Sequence, residues 1–336
     1  MKLCGTSVIA LIAGLSVSAQ APGSARAPSA EYKITGPFTH DNLTVFLIHG
    51  PNETAKKLLP LEEALAQRKV IVYETRDVNE LAIENISNED VYIQSGDIVK
   101  GGAQDRTLKD DLILPTKSGK VSISSFCVEH GRWTQRGNES LRTFDSSDQA
   151  LATKQLKMAV KLKANQQEVW NQVAAAQSSL ASSMNLSARS ALAPTSLPMT
   201  MEVPAVRRSI DGYIQELAGV PNRQDDVIGY AFVINGKVNS ADIYGSHQLF
   251  AGLWMKLLRA SAVEAVSEYH QGKKFAPGTV ADVRAMFADA DSAKPTVRDL
   301  TTHTQVVTKE TAQNVMFETR DRSQNGAWIH KNYMTR

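Results

Sequence analysis

Apolar residues lie along this chain in two rhythms, short alternating or continuous runs first and helical spacing later. Between 32 and 144 the runs 43–48, 70–75, 81–86 and 121–128 are rich in β-branched and aromatic residues, and Asn, Asp, Gly and Pro punctuate them. That pattern predicts short strands in a sandwich- or barrel-like antiparallel layer. The exception is 58–67, where Leu58, Leu59, Leu61 and Leu65 fall near one face beside Glu62 and Glu63 and predict a helix. From 147 to 184 glycine is absent, and Leu156, Ala159, Val160, Val169, Trp170 and Val173 recur at helical spacing. One or two helices are expected there, with Trp170 anchoring them to the strands. Ser, Ala, Thr and three prolines (Pro194, Pro198, Pro204) then make 186–204 read as an irregular connection.

The remaining third mixes both rhythms. A helix is predicted over 205–217 and a long amphipathic one over 247–269, with Leu249, Leu253, Leu257, Ala260 and Val263 on a shared face. Between them, 227–234 and 237–244 flank Asn235-Gly236, the dipeptide that supplies the two positive-φ positions of a type I′ hairpin turn. A shorter helix is expected over 279–287, and strand again from 306 to the apolar 327–330. The fold class is therefore α+β: a β-rich N-terminal layer over 32–146, a helical region with its connection over 147–204, and a hairpin-plus-helix region over 205–336, read as parts of one unit. A short echo between 72–77 and 315–321 reads first as chance and otherwise as an ancient duplication, since a repeat array needs several copies.

Composition narrows the class. The 37 basic and 35 acidic residues leave a net charge of +2, without the basic excess that nucleic-acid binding requires. Residues 1–19 carry Lys2, an apolar run over 8–17 and a small-residue Val17-Ser18-Ala19 site, the pattern of a secretory signal cleaved near Ala19. A flexible tether over 20–31 follows. The expected location is then periplasmic or secreted. The apolar run is shorter than the roughly 20 residues a bilayer requires, and nothing later in the chain predicts a membrane span. Cleavage removes Cys4 and leaves Cys127 as the sole thiol, so no intramolecular disulfide is expected.

The chemistry concentrates in 91–133. Gly96, Gly101 and Gly102 allow sharp turns or a close ligand approach, and Gln104, Asp105 and Arg106 follow directly. A strand over 121–128 delivers Cys127, Glu129, His130, Arg132 and Trp133 at its end. No G-x-S-x-G elbow, G-x-G-x-x-G, Walker loop, H-E-x-x-H or C-x-x-C occurs, and Asp289-Ala290-Asp291 lacks the rest of a calcium loop. Neither a metal site nor a cofactor is expected. His49, His247 and His330 are scattered and read as surface or satisfied core histidines.

The segments Gly96-Asp97, Gly101-Gly102-Ala103-Gln104-Asp105-Arg106, Cys127-Val128-Glu129-His130-Gly131-Arg132-Trp133 and Glu168-Val169-Trp170 occur in this order. The Gly229…Asn235-Gly236 hairpin and Ser240-Ala241-Asp242-Ile243 follow them. Together they resemble the ADP-ribosylglycohydrolase-and-rhodanese-phosphatase-superfamily-associated protein domain over nearly all of 32–333. The Cys-Val-Glu-x-Gly-Arg-Trp run is the most specific part. The family is named for genomic neighbours, so the resemblance implies a bacterial, ADP-ribose-linked context and no particular reaction.

Each candidate has two readings. Cys127 reads first as a small buried hydrophobe, and as a nucleophile only if His130 and Lys100 face it and lower its pKa. Glu129 and Asp105 form an acid/base pair if the turns converge; the preferred reading is an ion network with Arg106 and Arg132. Those two arginines alternatively clamp a phosphate or carboxylate, with Gly101, Gly102 and Gln104 lining the site and Trp133 stacking on a base or sugar. At the level of function, a non-catalytic ligand-binding or scaffold module is preferred, partnered by a small anionic ligand or an envelope protein. The alternative is a hydrolase or transferase acting on a phosphorylated or ADP-ribose-like ligand. There Arg106 and Arg132 hold the anion, and Glu129 or Asp105 handles the proton.

Overall fold

The computed structural model describes residue 1 and residues 32–336, apart from 133, 152 and 186–194. The proposed signal and tether, over 1–31, therefore lie outside the described residues except for Met1.

An eight-stranded antiparallel sheet forms the larger layer. Its spatial order is Lys33–His40, Leu43–His49, Val227–Ile234, Lys237–Tyr244, Ala327–Thr335, Asn314–Asp321, Thr304–Glu310 and Pro295–Asp299. Every residue of Leu43–His49 and of Val227–Ile234 is buried, so these two strands are covered on both faces. The long helix His247–Ser267 packs on one face with Pro204–Leu217 and Gln166–Ser183. Val280–Ser292 covers the other, through Val283, Met286, Phe287 and Ala290. The hairpin turn is as its sequence requires: Asn235 has φ +52° and Gly236 φ +78°.

The smaller β body is a closed six-stranded barrel, ordered Gly119–Cys127, Glu80–Asn85, Val70–Glu74, Thr143–Asp145, Ile98–Gly101 and Arg106–Leu108. Val72, Leu81, Ile83, Val99, Leu108, Ile123 and Phe144 contribute to its core. A three-stranded sheet, Leu59–Pro60, Val91–Ile93 and Leu112–Leu114, sits beside it. Barrel closure disposes of strand edges, which a small open sheet would leave unpaired.

Two expectations differ from the structure. The helix expected over 58–67 begins only at Leu61, because Leu59 and Pro60 are extended and pair in parallel with Val91 and Tyr92. Proline lacks the N–H a helix interior needs but fits the position just before the first turn. The connection expected over 186–204 contains a helix, Leu197–Glu202, capped by Ser196 accepting from the Met199 N–H. Pro198 signalled a break, yet it lies in the first helical turn, where its missing N–H has no intrahelical partner to lose. The helical region itself is interrupted: Lys154–Met158 runs into a π turn, Ala159–Lys163, which ends at Ala164 with φ +47°. The two echoing stretches lie in different bodies, one in the barrel and one in the large sheet. Among the described residues no helix is long and apolar enough to cross a membrane.

Candidate functional site

The hairpin joining Ile98–Gly101 to Arg106–Leu108 turns through Gly101 and Gly102, with φ of +132° and +57°. Both glycines are required by crowding. A Cβ on Gly101 would lie 2.8 Å from the Thr143 carbonyl, and one on Gly102 2.6 Å from the Phe144 ring and 2.7 Å from Glu74 Oε2. What approaches them closely is the neighbouring barrel strand. The turn then directs Gln104, Asp105 and Arg106 inward, towards the end of Gly119–Cys127.

Five side chains there have no solvent exposure: Gln104, Asp105, Arg106, Cys127 and Glu129 are each at 0%. The Asp105 N–H donates to Glu129 Oε2 at 3.2 Å, and the Gly101 N–H donates to Asp105 Oδ1 at 3.1 Å. Arg132 clasps the same Glu129 oxygen with Nε at 2.7 Å and Nη2 at 2.5 Å. Its Nη2 lies 3.7 Å from Asp105 Oδ1, and Arg136 Nη1 lies 3.4 Å from Asp105 Oδ2. Arg136 in turn holds Glu139. On the inner side Arg106 donates to Cys127 Sγ and to Gln104 Oε1 (3.4 Å), and reaches Glu74 Oε2 at 3.6 Å. Three arginines and four carboxylates thus interlock at one end of the barrel, with Arg132 and Arg136 as its partly exposed rim.

The electrostatics follow from this sealing. Burial, and then the nearby charge of Glu129, push Asp105 up to about 7, against the pull of Arg136. Burial pushes the Cys127 thiol up to about 11, although Arg106 draws it down. The two groups expected to activate this cysteine are elsewhere. His130 is exposed, its ring edge-on to Trp170 at 4.5 Å, and Lys100 pairs with Glu202 at 2.6 Å. Trp133 lies outside the described residues.

Trp170 ties the helical region to this end of the barrel by donating its indole N–H to the Glu129 carbonyl at 2.9 Å. Gln166, on the same helix, exchanges two hydrogen bonds with the Cys127 backbone, at 2.8 and 2.9 Å. The far side of the same segment pairs with the residues just before Leu197–Glu202: Glu129 bridges Ser196, and Thr195 donates to the His130 carbonyl. The strand end carrying Cys127 and Glu129 is thereby held from both sides.

Residues 31–334 match the family described as the ARG and Rhodanese-Phosphatase-superfamily-associated Protein domain. The chain belongs to this family. No curated protein and no solved structure matches it.

In this member of the associated-protein family, the structure brings Gly101, Gly102, Gln104, Asp105, Arg106, Cys127, Glu129 and Arg132 together and leaves His130 outside. Sequence reasoning missed Glu74, Arg136 and Glu139. The last two carried a legible signal, because Glu129, Arg132, Arg136 and Glu139 recur every three or four residues with complementary charges. Glu74 carried none; only barrel closure brings the end of Val70–Glu74 beside Arg106. His49 is buried between Thr35 (2.7 Å) and Asp226 (3.0 Å), and His247 meets the Val227 carbonyl. Among the described residues no group of three or more His, Cys, Asp or Glu is arranged to hold a metal ion.

Proposed function

We propose that this domain is an exported, non-catalytic module that binds a small anionic ligand, and that its acid–arginine cluster is the brace closing one end of the barrel. One observation carries the reading: Arg106, Arg132 and Arg136 are each engaged by carboxylates of the chain itself, in a cluster whose inner members have no exposure. An anion clamp needs guanidinium groups turned towards solvent, and a nucleophilic thiol needs a lowered pKa and an approach path. Cys127 has the opposite environment. The secretory pattern of 1–19 supports export, and the family's name supports an ADP-ribose-linked context. The test is calorimetric titration of the chain with ADP-ribose, nucleotides and sugar phosphates, followed by product analysis of each mixture. Binding without product is expected; turnover that Glu129→Gln abolishes would overturn the reading.

One observation favours the alternative, a hydrolase or transferase. Asp105, pushed up to about 7 by burial and by the charge of Glu129, lies beside that second carboxylate, and an adjacent pair of acids can pass a proton. That reading requires a rate that follows a single ionisation near pH 7 and disappears in Asp105→Asn.

A further inference from the structure

A second concentration of polar side chains lies where the barrel and three-stranded sheet meet the far half of the large sheet. Asp111, in the loop between Arg106–Leu108 and Leu112–Leu114, is 4% exposed and takes four hydrogen bonds. These come from the Ser95 N–H (2.7 Å), the Tyr92 hydroxyl (3.0 Å), the Thr319 hydroxyl (2.8 Å) and the His330 ring (2.7 Å). The other ring nitrogen of His330 meets Asp242 Oδ1 at 3.0 Å. A carboxylate at each nitrogen makes both of them donors, so the ring is an imidazolium. Burial lowers its pKa, and the charges and hydrogen bonds of Asp111 and Asp242 outweigh that and raise it.

Asp111 and Thr319 also form part of the wall of a cleft of about 330 Å³, facing Lys109, Lys161, Thr308 and Phe317. The other acids on its rim are neutralised in place: Asp110 by Arg298 at 2.7 Å and Glu310 by Arg336 at 3.4 Å. Two lysines of the wall form no direct ion pair, although the charge of Lys161 helps hold the Asp111 carboxyl below the usual range. Lys109 and Lys161 have no carboxylate within ion-pair distance among the described residues; Lys161 Nζ rests 4.5 Å over the Phe317 ring and 3.3 Å from Asn332 Oδ1. Lys161 projects from the π turn Ala159–Lys163, closed by the Ala164 N–H on the Ala159 carbonyl at 2.9 Å. His330 and Lys161 together balance Asp111 and Asp242, so the cleft keeps the charge of Lys109 in surplus, with the Lys161 ammonium and a hydroxyl-bearing wall facing it.

We propose that this cleft is a binding site for a small ligand bearing a phosphate or carboxylate group, held between the Lys109 and Lys161 ammonium groups with the Thr308 hydroxyl as a further donor. The inference rests on the binding-module reading and gives that module its site. The cleft's size admits one such anionic group with a small polar body attached, and its place at the junction of two β bodies is where ligand sites recur.

The test is calorimetric titration of the full chain with inorganic phosphate, pyrophosphate and citrate at low salt. It compares wild type with Lys109→Met, Lys161→Met and the double variant. Methionine keeps the apolar stem, and the Lys109 variant covers the case in which loss of the Phe317 contact impairs folding of the Lys161 variant. Lys273→Met, in a separate lysine-bearing hollow beside the Asn235-Gly236 hairpin, is the control for general charge. Each cleft substitution is expected to weaken binding about tenfold, the loss of one charge-assisted hydrogen bond, with the control unchanged. If a probe binds wild type and both cleft variants equally, the cleft assignment is overturned while the binding-module reading stands. If none of the three anions binds wild type, the inference is likewise overturned; the module reading then fails separately only if the ADP-ribose and nucleotide titrations are also silent.

Discussion

Arg132 holds Glu129 through a single carboxylate oxygen, with Nε at 2.7 Å and Nη2 at 2.5 Å on Oε2, while Oε1 has no hydrogen-bond partner among the described residues. The same Oε2 takes the Asp105 N–H, so one oxygen joins the hairpin turn, the strand end and the loop after it. Removing one partner of a buried ion pair leaves the other charge uncompensated, at a cost of about 3–5 kcal/mol. Glu129→Gln and Arg132→Ala are each expected to destabilise the domain on that scale. In chemical denaturation the double variant should be less destabilised than the sum of the two. Additivity would mean the pair is not coupled.

The Asp105 carboxyl sets a pH dependence. Its folded pKa, about 7, stands above the ordinary carboxylate value, so the folded chain keeps a proton that the unfolded chain releases. The contribution to stability is full at acid pH and is lost as pH rises to about 7, at most ~1.4 kcal/mol per unit for an isolated group. Asp105→Asn should flatten the fall in melting temperature between pH 5 and 7.5. A variant whose profile parallels wild type would contradict this.

Cys127 is sealed, and its thiol is held at about 11. At pH 8 an aromatic disulfide reagent should leave it unmodified in the native protein and modify it fully in denaturant, as read by mass spectrometry of the peptide containing it. Stoichiometric native labelling within minutes would identify an accessible thiolate.

How much of this was legible in the sequence depends on the range over which each signal acts. The Asn235-Gly236 hairpin, the helix beginning at His247 and the strand ending at Cys127 are local in origin, and the fold class followed from them. Period-two counting sets Cys127 on one side of its strand with Val121, Ile123 and Ser125, and in the fold Ile123, Ser125 and Cys127 are buried. The pairing of Leu43–His49 with Val227–Ile234 was not legible, since two strands buried on both faces carry no register of their own and find each other across most of the chain. The same limit governed the site. Gly101, Asp105, Arg106, Glu129 and Arg132 stood out because they crowd one stretch, whereas Glu74 reaches them only through the barrel. His330 reads from sequence as a surface or satisfied core histidine, and its burial and two bonds make it the second. Its partners Asp111 and Asp242 lie far off in sequence and carried no local mark.

The most direct test of the central claim, that the acid–arginine cluster braces the fold and the ligand binds elsewhere, is a thermal-shift comparison of wild type, Arg132→Ala and Glu129→Ala. The three are melted with and without ADP-ribose, nucleotides and sugar phosphates. A ligand that binds only the native state raises its melting temperature. Both variants are predicted to melt well below wild type and still to show the ligand-induced rise that wild type shows. Variants that melt like wild type and have lost the rise would contradict the account and make the cluster the site.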